Sequence, residues 1–206
     1  MTEQRQVRHR QDELDIFASN RVRLADERSL DELRGDVMRA AYQRRDVTLD
    51  SGVTQPYYFD KYLLTARPAI LRRLARFLAS RVPLDADRIA APTLGAVVLG
   101  TAVSLESGLP LSIIRTHLPP RALHGQRDVE GGIYRGEVVC LVEDVVVTGS
   151  RAAIAIERLR SVGGVVTSVV SVVDCERSAD VRLRELGIDY MPLFRYSSLI
   201  REGRDA

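Results

Sequence analysis

One lysine, two cysteines and no tryptophan occur in 206 residues. Cys140 and Cys175 lie in apolar surroundings and are too few for a disulfide framework, so a reducing, cytoplasmic setting is expected. No apolar run approaches the roughly 20 residues a membrane span needs, and no membrane partner is expected. The opening MTEQRQVRHRQDELD contains no apolar core of the kind a signal peptide requires. An excess of one charge is also missing. Thirty basic residues face 28 acidic ones, for a formal net charge of +2. That balance argues against a dedicated nucleic-acid binder. Lys61 apart, every basic residue is arginine or histidine. Arginine suits fork-like recognition of phosphates, although a GC-rich coding sequence produces the same bias and is the preferred reading.

What remains is ordinary globular material, 45% hydrophobic and 28% charged. The length fits one domain with a small appendage. Residues 1–28 read as a flexible N-terminal extension and residues 29–206 as a single domain. Ser29 and Glu32 fit a capping box, followed by a helix over about 30–44. Asp50-Ser51-Gly52 is turn chemistry between β-prone stretches, so a small two-stranded flap is expected over about 46–62. Pro68 can open a helix that buries Ile70, Leu71, Leu74, Phe77 and Leu78.

From Arg88 onward strands and helices alternate. Strands are expected at Arg88–Ala91, Leu111–Arg115, Val138–Val142, Val165–Val173 and Tyr190–Phe194. Helices are expected up to Ser107, over Ser150–Ser161 and over Ser178–Leu186. This rhythm predicts an α/β fold with a central, mostly parallel sheet flanked by helices. Residues 116–136 form a polar stretch too long for a simple connection and read as a functional, mobile loop.

The stretch that carries chemistry is Val138 to Arg151. An apolar strand ends in Glu143 and Asp144. The loop Val145-Val146-Val147-Thr148-Gly149 and a helix starting at Ser150-Arg151 follow. A helix start offers unpaired amides and a positive dipole end, which suit a phosphate. Gly149 lets the backbone come close, and the hydroxyls of Thr148 and Ser150 add donors. Two acids beside such a cradle suit the hydroxyls of a sugar. An acid pair after a strand can also be merely solvated, and Thr-Gly-Ser is a common way to begin a helix.

This string resembles the ribose-phosphate-binding signature of type I phosphoribosyltransferases. Over roughly residues 30–200 the chain resembles their orotate-using branch. Thr48 to Gly52 and Pro56 to Asp60, with Tyr58 and Phe59, resemble the family's flap over the base. Ala91-Pro92-Thr93-Leu94-Gly95 resembles its pyrophosphate-binding turn. Arg115, His124-Gly125 and Glu130-Gly131 resemble the ends of its catalytic loop. Pro192 to Phe194 with Leu199-Ile200 resembles its C-terminal ending.

The resemblance implies transfer of a 5-phosphoribosyl group from 5-phosphoribosyl 1-pyrophosphate (PRPP) to a ring nitrogen, with release of pyrophosphate. Orotate or a related ring is the implied acceptor, and Mg²⁺ is the implied cofactor, carried mainly by PRPP and pyrophosphate. Implied catalytic residues are Glu143, Asp144, Arg121 and His124. PRPP would be held by Thr93, Leu94, Gly95, Arg115, Arg121, His124 and the run Glu143 to Arg151, including Val145, Val146 and Val147. The base would meet Tyr58, Phe59, Val147 and Arg177. A homodimer with a lid shared across its interface is also implied.

The chain departs from the family pattern at several positions. The segment from Arg115 to His124 contains no lysine, and Thr116 and two prolines fall within it; Arg121 is its one interior cation. Arginine is a permanent charge that hardly donates a proton. Asp50 stands where a lysine is usual. Val147 replaces a threonine, and Cys175 stands where an arginine usually follows the aspartate, leaving Arg177 displaced. The sugar-phosphate half of the pattern is kept while the base half is altered. These departures leave open an acceptor other than orotate, and a PRPP-binding regulatory protein with reduced catalysis.

Overall fold

A computed structural model describes residues 27–48, 54–55, 57–116 and 128–202. The elements in order are α1 (Glu27–Ala41), β1 (Tyr42–Gln43), β2 (Val47–Thr48), β3 (Thr54–Gln55), β4 (Tyr58–Phe59), α2 (Lys61–Thr65) and α3 (Pro68–Ala79). They continue with β5 (Arg88–Pro92), α4 (Gly95–Ser107), β6 (Leu111–Ile114), β7 (Val129–Glu130) and β8 (Val138–Val146). The last are α5 (Ser150–Ser161), β9 (Val165–Asp174), α6 (Ala179–Glu185), β10 (Asp189–Arg195) and α7 (Tyr196–Glu202).

Six strands form one sheet in the order β10-β9-β8-β5-β6-β7. Neighbours run parallel except β7, which lies antiparallel to β6. The expected α/β architecture is therefore present. Strand alternation divides the interior into two cores. Cys140 and Val142 of β8 join Leu74 and Leu78 of α3 and Leu99 and Val103 of α4 on one face. Val139 and Leu141 join Ile156 and Leu159 of α5 and Leu183 of α6 on the other. Each such fully buried leucine contributes roughly 1.5–3 kcal/mol. Among the described residues, no helix is long and apolar enough to cross a membrane.

Several boundaries differ from those expected. Helix α1 is already running at Glu27, so Ser29 lies inside it rather than at its cap. It stops at Ala41 because Tyr42 and Gln43 pair with Phe59 and Tyr58. The flap region holds two short ladders instead of one. Val47 and Thr48 pair with Gln55 and Thr54, while Tyr58 and Phe59 belong to the ladder with β1. Helix α2 follows, capped by Asp60, whose carboxylate accepts from the amides of Tyr62 and Leu63. Strand β8 does not stop at Val142. It continues through both acids to Val146, because Glu143, Val145 and Val146 pair with Ser171, Val173 and Asp174 of β9. The expected extension 1–28 lies outside the described residues except for its last two.

Candidate active site

The sheet reverses its direction of growth at β5 and β8. The chain leaves β5 for β6 on one side, whereas β8 leads to β9 and β10 on the other. Ligands of open parallel sheets bind outside the carboxyl ends of strands at such a reversal. Three segments emerge there: Thr93-Leu94 after β5, Arg115-Thr116 after β6, and Val147-Thr148-Gly149 after β8. A cleft of about 290 Å³ opens at the end of β8, lined by Glu143, residues 145–152, Ile154 and Thr116.

The loop after β8 is shaped for an anion. Gly149 has φ 72°, a left-handed conformation that glycine adopts without strain. Gly149 has no side chain with which to cap α5, and the Ser150 amide makes only a long contact of 3.5 Å to Thr148 Oγ1. The first amides of α5 and its dipole therefore face the cleft. The hydroxyls of Thr148 and Ser150 lie 2.9 Å apart at its mouth. Arg151 is exposed beside them. The structure thus brings Val145 to Arg151 together as the sequence suggested.

The two acids behave differently. Successive residues of a strand point to opposite faces. Glu143 lines the cleft, whereas Asp144 lies beneath the start of α4. Both are buried. Burial, then the neighbouring Asp144, pushes the Glu143 carboxyl well above the ordinary glutamate range, against the pull of Arg151 and Lys61. Oδ1 of Asp144 accepts from the Val145 amide at 2.6 Å. Oδ2 faces the ammonium of Lys61 at 3.1 Å but accepts no hydrogen bond of good geometry. Both acids thus stand next to the loop after β8, Glu143 on the cleft side of the strand and Asp144 on the side of α4.

The turn after β5 is held by hydrogen bonds from the Thr93 amide to Ile114 O and from Thr116 Oγ1 to Thr93 O. The Thr93–Leu94 peptide is cis. Gly95 has no room for a side chain, since a Cβ there would stand 2.1 Å from Asp144 Oδ2. The turn and the end of β8 are therefore in contact.

Arg115 pairs with Glu130 at 3.1 Å, and its amide donates to Asp128 O. Arg121 and His124 lie outside the described residues, as does Asp50. Tyr58 is half-buried with the Arg45 guanidinium 4.8 Å above its ring. Phe59 is packed into the main core, so its expected place beside the base is not open. Tyr57 stacks between Tyr42 and Tyr196. Arg177 is exposed and bonds to Tyr57. Glu176 binds the amide and hydroxyl of Ser197 at the start of α7. Val147 lines the cleft, and Cys175 is buried with its thiol pushed up to about 12. Lys61 was singled out by no motif. Its one signal was its isolation among arginines.

Comparison with known proteins decides the family. Orotate phosphoribosyltransferase of Thermococcus gammatolerans is 36% identical over 155 residues, covering 74% of this chain and 81% of the relative. This chain belongs to the orotate phosphoribosyltransferase family. UMP synthase of Leishmania donovani shares this family's fold with a TM-score of 0.76 and 31% identity, over 84% of this chain and 38% of that longer one. Orotate phosphoribosyltransferase of Mycobacterium tuberculosis, solved in complex with PRPP, has a TM-score of 0.70 and 27% identity over 83% of this chain and 98% of its own. No protein-family model matches the chain.

Proposed function

We propose that this protein transfers the 5-phosphoribosyl group of PRPP to a ring nitrogen of orotate, giving orotidine 5′-monophosphate and pyrophosphate. The observation that carries this reading is the start of α5, entered through Gly149, facing a cleft that the buried carboxyl of Glu143 also lines. The 5′-phosphate would accept from the first amides of α5 and the hydroxyls of Thr148 and Ser150, with Arg151 adding charge. Glu143 and Asp144 would receive the ribose hydroxyls. The main chain of Thr93, Leu94 and Gly95 would face pyrophosphate. Tyr58, Val147 and Arg177 would border the base. Arg115 would anchor the catalytic loop, and Arg121 and His124 are assigned to it by resemblance alone.

The C1–O bond to pyrophosphate breaks as the C1–N bond forms. Positive charge grows on the sugar close to the acids, and negative charge grows on the leaving group beside fixed donors. Among the described residues, no group of three or more His, Cys, Asp or Glu could hold a metal ion. Mg²⁺ is taken as part of the substrate, bound to the pyrophosphate of PRPP, where it would offset the leaving group's charge.

A homodimer is part of the proposal. Val98 and Leu105 on α4, with Leu94 just before its first residue, form an exposed apolar stripe, at 46%, 81% and 67% exposure. A cytoplasmic location follows from the same biosynthetic reading.

The test is pyrophosphate release from PRPP and Mg²⁺ with a panel of bases. Orotate should be turned over, and Asp144→Asn should slow that turnover by orders of magnitude with little change in melting temperature. PRPP binding without release for any base would overturn the proposal in favour of a regulatory protein.

A further inference from the structure

Lys61 is the sole lysine of the chain, and its ammonium meets Asp144 Oδ2 at 3.1 Å. The side chain is 20% exposed and that of Asp144 is 3% exposed. Two features fix this lysine in place. It is the first residue of α2, whose start is set by the Asp60 cap, and the Asp60 amide is bonded to Ala41 O at 2.8 Å. On its other side the ammonium lies over Gly95: a Cβ there would stand 2.9 Å from Nζ and 2.8 Å from Cε. A planar guanidinium differs from an ammonium in length and shape and would not put the same compact charge at this spot. The position thus accounts for one lysine in a chain otherwise furnished with arginine.

Asp144 Oδ2 is a fully buried acceptor without a hydrogen bond, next to the turn that ends β5. A buried ionised carboxylate is stable only with a charge partner, and its unused lone pairs call for a donor. Lys61 provides the charge. A sugar hydroxyl provides the donor.

We propose that Lys61 is the positioning residue of the ribose subsite, holding Asp144 in place for the sugar without itself binding pyrophosphate. The inference rests on the phosphoribosyltransferase reading above and assigns the lysine a task within it. It separates the two halves of the substrate. Losing Lys61 should weaken ligands that carry the sugar and spare those that do not.

Calorimetry on the full chain with Mg²⁺ tests this, with ribose 5-phosphate, inorganic pyrophosphate and PRPP as ligands. Lys61→Met should weaken ribose 5-phosphate and PRPP about tenfold or more and change pyrophosphate by less than about twofold; tenfold corresponds to roughly 1.4 kcal/mol. Lys61→Arg should show the same selective loss. The melting temperatures of both variants separate a local change from misfolding, and comparing ligands within one variant cancels any common loss of folded protein. Equal weakening of pyrophosphate and ribose 5-phosphate, or unchanged binding of ribose 5-phosphate, would overturn the inference. If the parent protein turns over PRPP while the variants match it, this inference fails alone. If the parent binds none of the three ligands, the phosphoribosyltransferase reading itself fails.

Discussion

Glu143 lines the cleft at the end of β8 from a strand that is buried along most of its length, and that location sets its acidity. Its folded carboxyl holds a proton more tightly than the ordinary value of 4.5, chiefly because burial penalises the anion. The unfolded chain therefore ionises first as pH rises. Folding stability falls from about pH 4.5 upward until the folded carboxyl has itself ionised. Glu143→Gln removes this penalty. Urea denaturation should find the variant more stable than its parent near pH 8, by on the order of 1–3 kcal/mol. The difference should vanish below pH 4.5, and turnover should drop because the carboxyl proposed to meet a ribose hydroxyl is replaced by an amide. A variant equally destabilised at every pH would contradict this account. At the same scale, Glu143, Asp144 and the loop proposed for phosphate stand out in the sequence because their residue types follow one another along the chain. Lys61 does not, because the partners of that ammonium lie 34 and 83 residues away, brought together only by the sheet.

Elements at the opposite end of the sheet are locked by a different ion pair. Arg88 at the start of β5 makes two bonds to Glu137, which precedes β8, at 2.8 and 3.1 Å. Both residues are buried, and Glu137 also accepts from the Tyr134 amide. Removing one partner leaves the other charge buried and unpaired, which costs about 3–5 kcal/mol. Arg88→Met should lower the urea midpoint accordingly while leaving the PRPP dissociation constant of the folded protein unchanged. A matching loss of PRPP affinity would mean that the two ends of β5 are coupled. The long elements were legible because apolar periodicity declares them: α5 matches its expected span, and β9 and β10 gain only a residue or so at their ends. The two-residue strands β1 and β7 and the short helices α2 and α7 were not foreseen. Too few residues repeat in each to reveal a period, and tertiary pairing decides their state. The continuation of β8 through its acids was hidden for a related reason. Local polarity suggested a strand end, while the facing residues of β9 supplied the ladder.

At the scale of the whole molecule, α4 is unusual in being apolar nearly all round. Its inner side enters the core, and its outer side leaves Val98 and Leu105 exposed in line with Leu94 at its cap. Such a stripe suits burial against a second copy of the chain. The double variant Val98→Glu, Leu105→Glu should sediment as a monomer where the parent sediments as a dimer. Its specific activity should fall if the catalytic loop works across the interface. A parent that is already monomeric would remove the dimer from the proposed function.

A chain with a single ε-amino group has a further use. Selective ¹⁵N enrichment of lysine would place one side-chain resonance in the spectrum, and that resonance would report on the buried pair with Asp144. Acylating reagents aimed at primary amines would leave the arginine-clad exterior untouched. Apart from any free α-amino group, the mass they add would measure how well substrate shields the interior, residue by residue reduced to one.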